Sequence, residues 1–130
     1  MTDLIGSCLC GAVTVAISGR VRDPGACHCG QCRKQTGLYY AATSALRDRV
    51  RIEGEEALRW YSASAEAERG FCGTCGSALF WRAHGGENIS ILAGSFDNGT
   101  PLNADRRIFV ADKPDWYALH DDLPQHAQSD

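Results

Sequence analysis

The chain has 130 residues, 44% of them hydrophobic and 22% charged, with a formal net charge of -3. That length suits one domain, able to bury about two-thirds of its unfolded surface. The mild acidity argues against a generic nucleic-acid or anionic-membrane surface, and the ordinary apolar fraction argues against disorder outside the C-terminal end. Residues 1–119 are expected as a single domain and residues 120–130 as a tail with little to pack.

Met1-Thr2-Asp3-Leu4-Ile5-Gly6 has neither a basic stretch nor a long apolar one, and no run reaches the length of a membrane span, so a cytoplasmic location is expected. In a reducing compartment seven cysteines serve better as thiolate ligands than as disulfides, and an odd number cannot pair completely within one chain.

The first landmark is Cys8-Leu9-Cys10-Gly11, where glycine gives the freedom to turn after a ligand pair. From Ala12 to Ile17, Val13, Val15 and Ile17 alternate with smaller residues, the period of a half-buried strand. Asp23-Pro24-Gly25 then turns the chain into Cys27-His28-Cys29-Gly30-Gln31-Cys32. Gly37 to Thr43 is apolar and aromatic enough for a buried strand behind that loop. Val50-Arg51-Ile52 and Leu58-Arg59-Trp60-Tyr61 suggest further strands, and Ser62 to Glu68 is too short for a helix without an apolar face. Cys72-Gly73-Thr74-Cys75-Gly76 has the form of a zinc knuckle between strands, the second of them at Ala78-Leu79-Phe80-Trp81. Ile89 to Ala93 and Ile108-Phe109-Val110 complete the strands, with an Asp97-Asn98-Gly99-Thr100-Pro101 turn between them. The fold class is therefore mostly β: a compact, multi-sheet arrangement of short strands, held by metal and carrying a zinc knuckle.

Seven thiols divide into four and three. Spacing alone equally allows Cys29, Cys32, Cys72 and Cys75 to form a ribbon-like pair of pairs, leaving Cys8, Cys10 and Cys27 over. The long gap between those pairs favours Cys8, Cys10, Cys72 and Cys75 as the closed set, which frees Cys27, Cys29 and Cys32 together. Four protein ligands make a structural site, whereas three leave a position for water or substrate.

Gly6 to Gly11, Cys27 to Arg33, Arg69 to Gly76, and Ile108 to Val110 with Trp116 together resemble the glutathione-dependent formaldehyde-activating enzyme family, which also includes centromere protein V. The resemblance runs from Gly6 to Tyr117. It implies a zinc-stapled β fold, a structural zinc on Cys8, Cys10, Cys72 and Cys75, and a catalytic or substrate-binding zinc on Cys27, Cys29 and Cys32. It also implies a carbon-sulfur lyase reaction run in the synthetic direction, joining glutathione and formaldehyde as S-(hydroxymethyl)glutathione. Family members commonly carry a histidine before the Ile-Phe-Val-like segment; Arg107 stands there in this chain, a fixed cation in place of a ring that exchanges protons.

The expected partner is a small-molecule thiol such as glutathione, with no membrane and no nucleic acid, and the chain is compatible with a homodimer. Arg33 and Trp116 are the candidate substrate-binding residues: Arg33 could pair with a carboxylate, and the Trp116 indole could cap a cleft. The other aromatics, Tyr39, Tyr40, Trp60, Phe80 and Trp81, read as core. His28, between two ligands in an extended segment, should point away from the metal. The competing function is a non-catalytic zinc-stapled module that carries glutathione or docks on a macromolecule.

Overall fold

The computed structural model describes residues 3–130, so the Met1-Thr2 start of the N-terminal reading lies outside the described residues. In chain order the strands are β1 (Leu4–Ser7), β2 (Thr14–Ile17), β3 (Gly25–Cys27), β4 (Tyr40–Leu46), β5 (Val50–Glu53), β6 (Leu58–Tyr61), β7 (Ala67–Cys72), β8 (Ala78–Ala83), β9 (Asn88–Leu92) and β10 (Arg106–Ile108). A short helix, α1 (Gly30–Thr36), follows β3. Strands β1, β2 and β5 form a three-stranded sheet, and the other seven form a second sheet in the order β10-β3-β4-β9-β8-β7-β6. Every pairing is antiparallel except β10 with β3.

The alternation read in the sequence places Val13, Val15 and Ile17 in the core. They meet Ala45, Ile89, Ile91, Phe80 and Phe96, so the apolar faces of the two sheets close on each other. The other face of the large sheet carries the polar residues of interest. Cross-strand register aligns Cys27 with Tyr40, Ser44 with Ser90, Ser90 with Trp81, and Trp81 with Arg69, which sets Tyr40 and Arg69 on the face that α1 covers.

Helix α1 is absent from the sequence reading. Seven residues are too few to hold a helix on their own. Here the Cys29 sulfur accepts from the Cys32 N–H at 3.4 Å to start it, and Gly37, at φ 89°, ends it with its N–H on the Arg33 carbonyl. The strand expected from Gly37 consequently begins at Tyr40. The last strand is likewise shifted, to Arg106–Ile108, because Phe109 adopts a left-handed conformation at φ 55° and turns the chain. Strand β1 was also missed; its Leu4-Ile5-Gly6-Ser7 stretch shows no apolar alternation.

Residues 120–130, expected to find little to pack against, are mostly exposed but are tied down by backbone bonds and ion pairs. The segment runs beside β10: Arg107 donates to the Pro124 carbonyl, His126 donates back to Arg107, and Phe109 donates to Gln128. Asp121 pairs with Arg107, and Asp130 with Arg22 and Arg106. Polar composition concealed this, since backbone pairing along an open strand edge and ion pairs need no apolar side chains.

Two measurements test this architecture. Gly54, at φ 86°, would place a Cβ only 1.8 Å from the Ala12 carbonyl oxygen, whereas Gly85, at φ 74°, faces open space. Gly85→Ala should therefore cost about 1–2 kcal/mol of unfolding free energy, and Gly54→Ala about 3 kcal/mol or more, by denaturant titration. The Arg107 hydrogen bond holds the Asp121 carboxyl below its ordinary 3.8. A depressed carboxylate stabilises the fold above the ordinary value and loses that contribution as pH falls through its lowered one. The stability advantage of wild type over Asp121→Asn should thus be full near neutrality and vanish in strong acid.

Candidate metal centres

The sulfurs of Cys8, Cys10, Cys72 and Cys75 lie within 4.8 Å of one another. Those of Cys8 and Cys10 are 3.7 Å apart, and those of Cys10 and Cys72 3.8 Å. A tetrahedron with zinc-sulfur bonds of about 2.3 Å has sulfur-sulfur edges of about 3.8 Å, so the four donors fit a tetrahedral zinc closely. Two turns shape the site. The Val13 N–H points at the Cys8 sulfur (3.3 Å), and the Cys75 N–H at the Cys72 sulfur (3.5 Å). Ser77 bridges the turns, accepting from the Leu9 N–H at 3.0 Å with its hydroxyl 3.2 Å from the Cys75 sulfur. That hydroxyl is the main reason the Cys75 thiol is lowered to about 5.

Cys27, Cys29 and Cys32 form the second group, also within 4.8 Å. They come from the end of β3, the cap of α1 and its first turn. Hydrogen bonding from Cys27 lowers Cys29 to about 2, and the same contact pushes the Cys27 thiol far up. One thiolate thus forms readily while the next resists, and a divalent cation among the sulfurs reverses that resistance. The soft, closely spaced donors fit zinc, with one coordination position not supplied by cysteine.

Two side chains missed in the sequence reading surround this group. Arg69 is buried without a carboxylate partner; it donates to the Gln35 side-chain oxygen at 2.9 Å, to that of Gln31 at 3.3 and 3.4 Å, and to the Cys32 sulfur at 3.5 Å. A buried guanidinium needs a counter-charge, and the thiolates supply it. Its charge centre also lies 5.4 Å from the centre of the Tyr40 ring. Tyr40 is buried, as a core aromatic should be, yet its hydroxyl has no hydrogen-bond partner among the described residues. Burial, offset by Arg69, raises its pKa, so the hydroxyl stays protonated at neutral pH. Beside the group a cavity of about 530 Å³ is lined by Gln31, Lys34, Gln35, Tyr61, Arg69 and Phe71, among others. A buried arginine in a strand rarely announces itself in sequence; its position three residues before Cys72 was the available signal.

His28 points to the other side of the strand from Cys27, as expected from alternation, and is fully buried. Its Nε2 lies 3.1 Å from an Arg107 terminal nitrogen and its Nδ1 2.6 Å from the Tyr117 hydroxyl. Burial, then Arg107 and Lys113, lower its pKa, which favours the neutral ring. Arginine only donates, so Nε2 accepts and Nδ1 carries the proton toward Tyr117. Arg107 is held in turn by Asp121, its Nε 3.2 Å from one carboxylate oxygen and its NH2 2.5 Å from the same oxygen. Arg107 is therefore bonded both to His28 and to the C-terminal segment.

Of the two candidate substrate-binding residues, Arg33 follows Cys32 on α1 and is half-buried. Trp116 leaves most of its indole exposed, its ring centre 4.6 Å from that of Tyr117. It lies on the His28 side of the strand, away from the residues lining the cavity.

Comparison with known proteins identifies the family. The profile of the family described as glutathione-dependent formaldehyde-activating enzyme matches residues 3–112. An uncharacterised lyase of Schizosaccharomyces pombe is 30% identical over 120 residues, covering 90% of this chain and 85% of the relative. A putative glutathione-dependent formaldehyde-activating enzyme of Halomonas elongata is 32% identical over 126 residues, covering 89% and 80%. A Rhodobacter sphaeroides protein of known crystal structure superposes with a TM-score of 0.63 at 25% identity, over 75% of this chain and 92% of that one. With a profile match across most of the chain and relatives aligned over nearly all of it, this chain belongs to the glutathione-dependent formaldehyde-activating enzyme family.

Proposed function

We propose that the chain is a zinc-dependent carbon-sulfur lyase that joins a small thiol of the glutathione type to an aldehyde, and cleaves the adduct in reverse. The observation that carries this reading is the three-sulfur group of Cys27, Cys29 and Cys32, set near a mixed cavity, lined by Tyr61 and Phe71 as well as Gln31, Lys34, Gln35 and Arg69, and near a buried Tyr40 hydroxyl that has no partner among the described residues. The relatives named as a lyase and as a formaldehyde-activating enzyme support the same class. Cys8, Cys10, Cys72 and Cys75 then hold a structural zinc.

Zinc held by three thiolates supplies one further position that favours an incoming thiol in its thiolate form. The chain's own residues do the rest. Arg69 offsets the negative charge of the thiolates through Cys32, and Lys34 and the two glutamines offer polar partners to the carboxylates and amides of a peptide-like thiol. Arg33, which follows Cys32 on α1, is the further substrate contact proposed, whereas Trp116, on the His28 side of the strand, is not placed to meet a thiol in that cavity. As the carbon-sulfur bond forms, the carbonyl electron pair moves to the substrate oxygen, and the Tyr40 hydroxyl donates a hydrogen bond to that oxygen as its charge develops. The proton lost by the thiol balances the one gained by the hydroxymethyl oxygen.

Turnover above the spontaneous thiol-aldehyde reaction tests the proposal; heat protection by glutathione without acceleration would favour the binding-module reading. Tyr40→Phe is expected to lower kcat by about a hundredfold with zinc content unchanged, since one transition-state donor is removed. Cys27→Ser should abolish acceleration while leaving the far-ultraviolet circular dichroism intact. A Cys27→Ser protein that stays folded and works as well as wild type would rule out the assigned site.

A further inference from the structure

The Cys27–Cys29 segment has two sides. Its sulfurs face Arg69 and Tyr40, whereas His28 is driven into the opposite side and has both ring nitrogens engaged. Its N–H also donates to the Ile108 carbonyl at 3.0 Å. A free cysteine-rich loop samples many sulfur arrangements, and a metal has to order it on binding. Here one residue between two ligands is fixed at three points, so little of that ordering remains.

Two of those fixed points, at Arg107 and at Ile108 on β10, are backed by residues 120–130, and the third is Tyr117. Tyr117, which receives His28 Nδ1–H, is itself held because Lys113 donates to its carbonyl and lies 4.6 Å from its ring centre. Arg107, which meets Nε2, is buried and would tilt toward water without the Asp121 carboxylate. Its guanidinium also sits 5.2 Å from the centre of the Tyr39 ring, next to Tyr40. The ladder from Arg107 to Phe109 with Pro124, His126 and Gln128 closes the edge of β10. Tyr117 and Asp121 lie C-terminal to the residues matched by the family profile.

We propose that Arg107, Tyr117 and Asp121 are positioning residues for the three-cysteine site: a C-terminal clasp that grips His28 from behind and thereby presets the Cys27 and Cys29 sulfurs for metal. None of the three touches the metal or the thiol. The inference rests on Cys27, Cys29 and Cys32 being metal ligands, and not on the reaction performed there.

The test is zinc release to a chromogenic chelator from the full chain, with the phase of the three-cysteine site assigned by its disappearance in Cys27→Ser. Asp121→Asn and Tyr117→Phe should each release that zinc about tenfold faster, with release from the four-cysteine site unchanged and Asp121→Glu restoring the slow rate. Glu53→Gln, which loses an exposed ion pair with Arg51, is the control and should behave as wild type. Equal acceleration at both sites would mean general destabilisation and overturn the clasp. Two zincs released at wild-type rates in both variants would overturn the clasp alone. One zinc in wild type, on the four-cysteine site, would remove the metal reading of the second site and this inference with it.

Discussion

Sulfur crowding is the constraint on which the rest of the structure depends. Two groups of thiols, each with its sulfurs within 4.8 Å of one another, cannot ionise together unless a cation lies among them. In return, a cation at the four-sulfur group would join parts of the chain that apolar packing alone would hold weakly. The four-sulfur group ties the turn between β1 and β2 to the hairpin of β7 and β8, so it links the small sheet to the large one. A structural zinc of this kind contributes on the order of 10 kcal/mol to folding, comparable with the whole net stability of a small domain.

The same chemistry serves a different purpose at the second group. There the three ligands come from one short stretch, so the metal adds little long-range crosslinking. Its surroundings are specialised instead: a buried arginine without a carboxylate, a buried phenol without an acceptor, and a cavity lined by amides and a lysine. Such groups destabilise a fold unless a ligand satisfies them, so they mark the site as built for a partner. The division of labour between the two groups follows from ligand count and from which parts of the chain supply the ligands.

The cysteines were legible because ligand geometry is local: two thiols one or two residues apart beside a glycine can hardly do anything else together. The gap between Cys32 and Cys72 was enough to prefer the four-plus-three division that the structure brings together. The strand carrying Val13, Val15 and Ile17 was legible through its period. Helix α1 was not, because its start is a sulfur cap at Cys29 and its stability comes from the cluster. The hold on the C-terminal segment was not legible because it consists of ion pairs and backbone bonds, which composition does not reveal. In the sequence Tyr40 reads as core and Arg69 only as the start of the Arg69–Gly76 motif; the register of β3, β4, β7, β8 and β9 brings them to one face.

X-ray absorption at the zinc edge, on the protein as purified and then with saturating glutathione, tests the division into a closed and an open centre most directly. The four-plus-three account predicts about 3.5 sulfurs per zinc, rising to about 4 when the thiol enters the open position. Four sulfurs per zinc before glutathione, or an average that glutathione leaves unchanged, would contradict it.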